Sequence, residues 1–182
     1  MPAYAYVVLV VGWLAWCLPF LLMKRNKAKA EKIDKRARWG IGLALIAFSI
    51  VWQPTFWAKS LTPWRLALAL AFFILASSLS WTAARTLGRQ WRIDAGLNAD
   101  HLLITSGPYR FVRHPIYTSL LCLLWAVGFL FVRLPWLALA SVLALLGTEI
   151  RVRVEDGLLL SRFGKQFVDY KKSVPGYIPW KI

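Results

Sequence analysis

Five long, largely uncharged apolar stretches divide this sequence of 182 residues, and segments rich in Lys and Arg separate them. A helix needs about 20 predominantly apolar residues to cross the hydrocarbon core of a bilayer. The stretches therefore predict an all-α, polytopic membrane protein with about five transmembrane helices. The predicted spans lie near residues 4–23, 39–58, 65–84, 115–132 and 134–152.

Composition separates two interpretations of the strong positive charge. A net charge of +15 and a pI of about 10.4 are typical of nucleic-acid-binding proteins. However, 59% of the residues are hydrophobic, against about 45–50% in soluble domains, and the mean hydropathy is +0.54. The predicted partner is therefore the lipid bilayer and not nucleic acid. Cys17 and Cys122 lie within apolar stretches, which argues against a disulfide framework or a cysteine metal site.

The positions of the charges predict the orientation of the spans. All but three of the 23 Lys and Arg residues fall in segments 24–38, 85–115 and 149–182, which alternating spans place on one side of the membrane. Because positive residues concentrate in cytoplasmic segments, we expect these three to be cytoplasmic and the N-terminus to lie outside. The first stretch lacks a basic region before it, so it is interpreted as a retained span and not as a signal peptide. We expect one membrane-embedded domain over residues 1–182, with a cytoplasmic C-terminal region over 153–182.

The cytoplasmic segment before the fourth span contains the first group of candidate functional residues. Gly107-Pro108 predicts a turn, and residues 113–115 stand where the fourth helix begins. A helix N-terminus offers backbone N–H groups and a positive dipole end, which suit an anionic ligand group. Tyr109 and Tyr117 add aromatic faces and hydroxyl groups nearby. The alternative is an interfacial helix start with snorkelling arginines.

His114 is interpreted as a hydrogen-bonding residue. A histidine in this position can act as a base, a metal ligand or a hydrogen-bonding group. His101 lies 13 residues away and no cysteine accompanies either histidine, so a metal site is not indicated.

Charged residues at the end of the fifth span form the second candidate group. In a helix, Arg151 and Glu155 lie four residues apart on one face, as do Glu149 and Arg153. Charged groups at a membrane boundary are costly and often mark functional sites. We therefore expect a polar cytoplasmic pocket formed by the loop before helix 4 and the C-terminal helix. The alternative is two ordinary ion pairs on a solvated helix face.

These two groups resemble the signature motifs of the isoprenylcysteine carboxyl methyltransferase family, which overlap with those of phospholipid methyltransferases. The first motif runs His101-Leu102-Leu103-Ile104-Thr105-Ser106-Gly107-Pro108-Tyr109 and then Arg113-His114-Pro115-Ile116-Tyr117. The second runs Glu155-Asp156-x-x-Leu159-x-x-x-Phe163-Gly164-x-x-Phe167-x-x-Tyr170, with Val174-Pro175 at its end. A further family segment is similar to Leu87-Gly88-Arg89-Gln90-Trp91. The resemblance covers roughly residues 85–180, about half of the chain.

The resemblance implies a membrane-embedded methyltransferase that uses S-adenosylmethionine, which enters from the cytoplasm. It implies that Arg151 orients the acceptor. The cofactor-binding residues that it implies are His101, Leu102, Leu103, Ile104, Tyr109, His114, Pro115, Ile116, Tyr117 and Glu155. The sequence departs from the family pattern at three positions: Asp156 replaces a second Glu, Phe167 replaces a Tyr, and Ser119 stands where Gly is frequent. The role of Asp156 is left open.

The resemblance leaves several functions to be separated. The implied acceptor is a lipophilic carboxylate such as an isoprenylcysteine-like group, and the alternatives are the amine of a phospholipid and a small lipophilic thiol. Two functions of other classes are an NADPH-dependent membrane reductase and a non-catalytic lipid-binding membrane protein. No G-x-G-x-x-G motif is present, which argues only against a Rossmann-type nicotinamide site.

Overall fold

The computed structural model describes residues 1–22, 32–91, 95–97 and 101–179, and helices dominate this part of the chain. The α-helices are α1 (Ala3–Leu22), α2 (Ala37–Trp52), α3 (Pro63–Leu87), α4 (Pro115–Phe131), α5 (Leu134–Phe163) and α6 (Lys165–Ser173). Short 3₁₀ turns occur at Pro54–Phe56, Gly88–Gln90 and Gly107–Arg110. The predicted helical class is confirmed. Strands β1 (Lys32–Ile33) and β2 (Gly96–Leu97) add a two-residue antiparallel pair that the apolar pattern did not predict.

Most helix boundaries fall within about three residues of the predicted spans, and the ends of the second and fifth helices are the exceptions. The prediction extended the second helix to residue 58, whereas α2 ends at Trp52. Pro54 explains the earlier end, because the residue before a proline is disfavoured in the α conformation. Gln53 accordingly has an extended backbone, with φ −82° and ψ 112°. Met23, the last residue of the first predicted span, lies outside the described residues.

Helix α5 continues well beyond the predicted end of the fifth span. It runs without a break for 30 residues from Leu134 to Phe163. Gly164 ends it with φ 52°, a left-handed conformation that glycine adopts without steric cost. The charged residues after position 148 therefore sit on one continuous helix.

Two of the described helices are long and apolar enough to cross a membrane. They are α1, with 20 residues, and α3, with 25 residues. Helices α2 and α4 are also apolar but shorter, with 16 and 17 residues. The five-span count and its orientation stay predictions.

Helix α4 lies at the centre of the bundle and supplies much of the core, including Leu123, Leu124, Leu130 and Phe131, all 0% exposed. Helix α3 packs along α4, α2 packs along α5, and α1 packs against α3. The approach of α1 to α3 is close at Gly12, where an added Cβ would lie 2.3 Å from the Phe73 ring. Because α1 and α2 pack mainly on different helices, a space is left between them.

The two ends of the bundle differ in chemistry. At one end the α2–α3 connector meets the α4–α5 turn, and the Ala58 N–H donates to the Phe131 carbonyl at 2.6 Å. Arg65 is buried there, and its Nε donates to the Phe129 carbonyl at 2.9 Å. A cation at this position neutralises the negative end of the α4 dipole. The other end contains the 101–114 segment, α6 and the charged part of α5, which are the elements that carry the candidate residues.

Candidate active site

A cavity of about 680 Å³ lies between α1 and α2 and reaches the charged end of the bundle. This volume is in the range of small-molecule and cofactor sites, about 300–1,000 Å³. The 101–109 segment, the start of α4 and the last turns of α5 line its polar part. Side chains of α1 and α2, among them Trp13 and Phe48, line its apolar part. The cavity therefore joins a polar chamber to an apolar one.

Nearly all candidate residues named from the sequence meet at this cavity. Those that line it are His101, Leu102, Leu103, Ile104, Tyr109, His114, Ile116, Tyr117, Arg151 and Glu155. Pro115 is the exception, because it is fully buried in the first turn of α4 and does not line the cavity. Pro115 instead begins the helix, where its missing N–H has no intrahelical partner to lose.

Tyr117, Arg151 and Glu155 form a hydrogen-bonded triangle in the polar part of the cavity. Arg151 Nε donates to the Tyr117 hydroxyl at 2.6 Å, and Arg151 Nη2 lies 3.3 Å from Glu155 Oε1. The Tyr117 hydroxyl donates to the same carboxylate oxygen. The predicted pairing of Arg151 with Glu155 on one helix face is confirmed. Because Tyr117 lies on α4 whereas Arg151 and Glu155 lie on α5, these hydrogen bonds also link α4 to α5.

His114 lies between two carboxylates. Its Nε2 is 2.9 Å from Asp156 Oδ1, and its Nδ1 is 3.5 Å from Glu155 Oε2. The imidazole is only 7% exposed. Since each ring nitrogen faces an acidic oxygen, the geometry favours the doubly protonated imidazolium. The predicted hydrogen-bonding role of His114 is confirmed.

The site holds its carboxylates ionised. Burial alone would raise the pKa of Asp156, but hydrogen bonds from His114, Arg113 and Lys171 hold it well below its ordinary value. Burial likewise opposes ionisation of Glu155, yet His114, Arg151 and Tyr117 lower its pKa. For His114, burial alone would lower the pKa, but the hydrogen bonds and charges of Asp156 and Glu155 raise it.

Asp156 connects three elements of the fold. Its carboxylate, 7% exposed, also lies 2.9 Å from Arg113 Nη2 and 3.0 Å from Lys171 Nζ. Arg113 precedes α4, Asp156 is on α5, and Lys171 is on α6. The residue whose role the sequence left open therefore holds the start of α4 and the C-terminal helix against α5.

The C-terminal segment covers the start of α4. The N–H groups of Arg113 and His114 donate to the carbonyls of Pro175 and Gly176, each at 2.9 Å. Thr118 Oγ1 donates to the Tyr177 carbonyl at 2.6 Å. The expectation that this helix start offers backbone N–H groups to an anion is therefore wrong for residues 113 and 114, since chain carbonyls already accept from them.

The second predicted ion pair behaves as an ordinary surface pair. Arg153 Nε lies 2.7 Å from Glu149 Oε1, and the Arg153 side chain is 78% exposed. Neither residue lines the cavity. The solvated-face alternative therefore applies to this pair and not to Arg151 and Glu155.

Two glycines close to Arg151 were not among the residues predicted from the sequence. A Cβ on Gly40 of α2 would lie 2.4 Å from the Gly147 carbonyl and 2.6 Å from Arg151 Cγ. A Cβ on Gly147 of α5 would lie 2.7 Å from the Gly40 carbonyl. The helix backbones thus approach closely at the level of Arg151, and both glycines line the cavity. Their only signal in the sequence is a small residue within each apolar stretch.

The buried charges predict a pH window for the stability of the folded protein. A raised His114 pKa adds stability that is complete below the pKa of free histidine, about 6.5, and is lost as the pH rises through the folded-state value. The lowered Glu155 and Asp156 pKa values add stability that is complete above the ordinary carboxyl pKa, about 4, and is lost on acidification. We expect the thermal midpoint of detergent-solubilised wild type to exceed that of His114→Gln by several degrees near pH 6, where ~1 kcal/mol corresponds to about 2–4 °C. The difference should shrink at alkaline pH, and a difference that grows above pH 7 would contradict the assignment.

Fold and site together define a protein built from an apolar helical bundle with a ligand-sized cavity, whose polar part lies at the charged end of the bundle. Residues 68–161, slightly more than half of the chain, match the model of the isoprenylcysteine carboxyl methyltransferase (ICMT) family. The chain belongs to this family.

Curated relatives agree with the family match. The chain is 33% identical over 115 residues to the protein-S-isoprenylcysteine O-methyltransferase of Schizosaccharomyces pombe, covering 61% of this chain and 48% of the relative. It is 31% identical over 124 residues to the protein of the same name in Tribolium castaneum, covering 64% and 42%. A third relative is the cobalt-zinc-cadmium resistance protein CzcN of Cupriavidus metallidurans, 30% identical over 145 residues, covering 78% and 62%. The chain thus spans about half the length of the first two relatives.

Proposed function

We propose that this chain transfers the methyl group of S-adenosylmethionine to the carboxylate of a lipophilic acceptor, an isoprenylcysteine-like group, at the cytoplasmic face of a membrane. The position of Arg151 carries the proposal, because it lines a cavity that also holds Glu155 and continues between the apolar helices α1 and α2. A guanidinium at the junction of a polar and an apolar chamber suits the anionic head of an otherwise apolar molecule. The first two relatives are named as O-methyltransferases of protein S-isoprenylcysteine, which supports an oxygen acceptor on such a group.

The residues of the polar chamber fit the proposed cofactor. S-adenosylmethionine has an amino-acid head, an adenosine and a cationic sulfonium. The Glu155 carboxylate suits the amino group or the ribose hydroxyls, and the aromatic face of Tyr109 suits a cation. The Tyr117 ring already meets the Arg151 guanidinium, 5.3 Å from its centroid, so Tyr117 contributes its hydroxyl. Burial raises the pKa of Tyr109 well above its ordinary value, so its hydroxyl stays protonated and can donate. We propose that these residues, His114 and the 101–104 segment hold the cofactor.

The cofactor, when bound, would supply a methyl group whose bond to the acceptor oxygen forms as its bond to sulfur breaks and leaves the electron pair on sulfur. The acceptor carboxylate needs no general base, because it attacks in its ionised form. Arg151 orients the carboxylate, and the Tyr117–Glu155 contacts fix the guanidinium in place. Positioning and exclusion of water then provide most of the rate enhancement.

The electrostatics of the site disfavour an amine acceptor. Methyl transfer to an amine requires an unprotonated nitrogen, and therefore a base to accept the proton. The lowered pKa of Glu155 makes this carboxylate a poor base near neutral pH. Arg151 would also repel an ammonium group. A phospholipid amine is therefore the weaker alternative.

The charge distribution supports the proposed placement in the membrane. We propose that α1 to α4 and the first part of α5, residues 134–152, span the bilayer, with the N-terminus outside and residues 153–182 in the cytoplasm. The polar end of the cavity then faces the cytoplasm, together with the cations that follow α5 in the sequence. A lipophilic acceptor would reach the apolar chamber from the bilayer.

A labelled-methyl assay tests the proposed reaction. Detergent-solubilised protein is incubated with methyl-labelled S-adenosylmethionine and either N-acetyl-S-farnesylcysteine or phosphatidylethanolamine. We expect label in the farnesylcysteine product, released as methanol by mild base, because the new bond is an ester. Calorimetric binding of S-adenosylhomocysteine to the same preparation is expected in parallel.

Each other outcome contradicts the proposal in a distinct way. Base-stable label in the phospholipid would establish the amine alternative. S-adenosylhomocysteine binding without transfer to either acceptor would favour a non-catalytic lipid-binding protein. Thermal stabilisation by NADPH, with no binding of S-adenosylhomocysteine, would establish the reductase alternative.

A further inference from the structure

We infer that three aromatic rings, those of Trp13, Phe48 and Trp52, close the apolar end of the cavity and limit the length of the acceptor tail. This inference rests on the proposed function, because it concerns the tail of the acceptor whose carboxylate Arg151 orients. All three residues line the cavity. Trp13 comes from α1, whereas the other two come from α2, so the rings meet across the space between these helices.

The Trp13 ring contacts both of the other rings, and Trp52, the last residue of α2, is 40% exposed. The Trp13 ring meets the Phe48 ring edge-on, with centroids 6.2 Å apart and an interplanar angle of 86°. It meets the Trp52 ring in the same way, at 5.5 Å and 73°. Edge-to-face pairs in this range are attractive, by about 0.5–1.5 kcal/mol beyond their burial. The rings therefore join α1 to α2, two helices that otherwise pack mainly on α3 and α5.

The Trp16 ring lines the cavity between its polar chamber and these three rings, and a hydrogen bond holds Trp16 in place. The Trp16 indole Nε1 donates to Ser119 Oγ at 3.1 Å, and Ser119 Oγ donates to the Ile116 carbonyl at 2.7 Å. Ser119 is 0% exposed, so the tether is buried. The Trp16 ring lies 6.0 Å from the Trp13 ring and 5.2 Å from the Phe20 ring. Ser119, which replaces a frequent family glycine, thus anchors the Trp16 ring against which the tail would lie.

The geometry of α2 sets the length of the apolar chamber. Gly40 marks the level of Arg151, since a Cβ there would lie 2.6 Å from Arg151 Cγ. Phe48 lies eight residues further along the same helix, a distance of about 12 Å at about 1.5 Å per residue. A tail longer than this must displace the aromatic closure or leave the cavity. We therefore expect kcat/KM of the wild type to fall as the tail lengthens, from geranyl to farnesyl to geranylgeranyl.

The test compares acceptors that differ only in tail length. Wild type, Trp13→Ala and Trp13→Leu are assayed for kcat/KM with the N-acetylcysteines carrying S-geranyl, S-farnesyl or S-geranylgeranyl tails. Removal of the ring is expected to raise the geranylgeranyl-to-farnesyl ratio of kcat/KM by about ten-fold or more, the usual size of a hydrophobic pocket's discrimination. The milder Trp13→Leu variant keeps an apolar side chain in place, should Trp13→Ala fail to fold. Calorimetric affinity for the same acceptors without the methyl donor gives a readout that does not depend on turnover.

Controls separate the tail limit from a general loss of packing. Trp39→Ala removes a tryptophan that is 77% exposed and does not line the cavity, so its length preference should equal that of wild type. Ser119→Ala releases the Trp16 tether and should weaken the preference without removing the closure. Transfer by Trp13→Leu with an unchanged length preference would overturn this inference and leave the proposed function intact. Absence of transfer by wild type to every acceptor would overturn both.

Discussion

Replacement of Glu155 by Gln is expected to lower the affinity for S-adenosylhomocysteine by about 100-fold and to abolish methyl transfer. The carboxylate accepts from the Tyr117 hydroxyl and lies 3.5 Å from His114 Nδ1 and 3.3 Å from Arg151 Nη2. The amide keeps the shape but loses the negative charge, which leaves Arg151 without this carboxylate and His114 with Asp156 alone. Loss of one partner of a buried charged pair costs about 3–5 kcal/mol, and each 1.36 kcal/mol is about a tenfold change in an equilibrium constant. The Glu155 side chain is 25% exposed, and part of the cost destabilises the fold. We therefore expect the remaining part to weaken binding of S-adenosylhomocysteine by about 100-fold.

Glu149→Gln is the matched control for this prediction. Glu149 lies on the same helix and pairs with Arg153 at the same i,i+4 spacing, but that pair is exposed. Exposed ion pairs contribute about 0–1 kcal/mol, so affinity should stay within about fivefold of wild type. Calorimetric titration of both variants gives the comparison. Equal losses of affinity in the two variants would show that the net charge of the protein, and not the hydrogen-bonded triangle of Tyr117, Arg151 and Glu155, governs binding.

The sequence predicted the helices well because their lengths follow from simple physics. Apolar stretches of about 20 residues and the charges between them indicated where α1, α3 and α4 run. The errors lie where a local signal competed with the apolar pattern. Pro54 ends α2 early, although the apolar composition continues past it. Helix α5 continues past its apolar part because only Gly164, eight residues beyond Asp156, provides a helix stop.

The sequence predicted most residues of the candidate site but not the contacts between them. The spacing of Arg151 and Glu155 follows from helix geometry alone, and the structure confirms the contact. The contact of Tyr117 with Glu155 joins residues 38 positions apart, and that of His114 with Asp156 joins residues 42 apart. No periodicity encodes such distances, since they depend on how α4 packs against α5.

Two residues that depart from the family pattern, Asp156 and Phe167, have structural roles in the fold. Asp156 is shorter than the Glu it replaces, and it receives Arg113 and Lys171 in addition to His114. Phe167, which replaces a Tyr, is 1% exposed and packs with Tyr170 and Val174 in a small cluster under α6. An apolar ring suits that position because no hydroxyl then needs a partner.

Substitution of Gly147 by Ala is expected to lower the thermal stability of the protein and to impair acceptor use. The new Cβ would lie 2.7 Å from the Gly40 carbonyl and 3.1 Å from Leu43 Cβ. The first contact is with backbone, so a rotamer change cannot relieve it and the two helices must separate. Overpacking of this kind costs about 1–3 kcal/mol, equivalent to about 2–12 °C in the thermal midpoint.

Gly40→Ala is expected to act more directly on the chemistry. Its Cβ would lie 2.6 Å from Arg151 Cγ as well as 2.4 Å from the Gly147 carbonyl. Displacement of the guanidinium should raise the KM for N-acetyl-S-farnesylcysteine by more than it weakens the binding of S-adenosylhomocysteine, because Arg151 is proposed to orient the acceptor. Measurement of both constants on the same preparation separates this effect from a general loss of folded protein.

Two other glycines of the same helices provide controls of opposite sign. Gly42 on α2 and Gly157 on α5 have no atom within 4 Å of an added Cβ. In a helix interior, alanine is favoured over glycine by about 0.5–1 kcal/mol, so Gly42→Ala and Gly157→Ala should raise the thermal midpoint slightly. A lower midpoint for these variants would show that any added methyl group disturbs the bundle. A lower midpoint only for Gly40→Ala and Gly147→Ala would locate the sensitivity at the approach of α2 to α5. The double variant should then be less destabilised than the sum of the two, because one separation of the helices relieves both contacts.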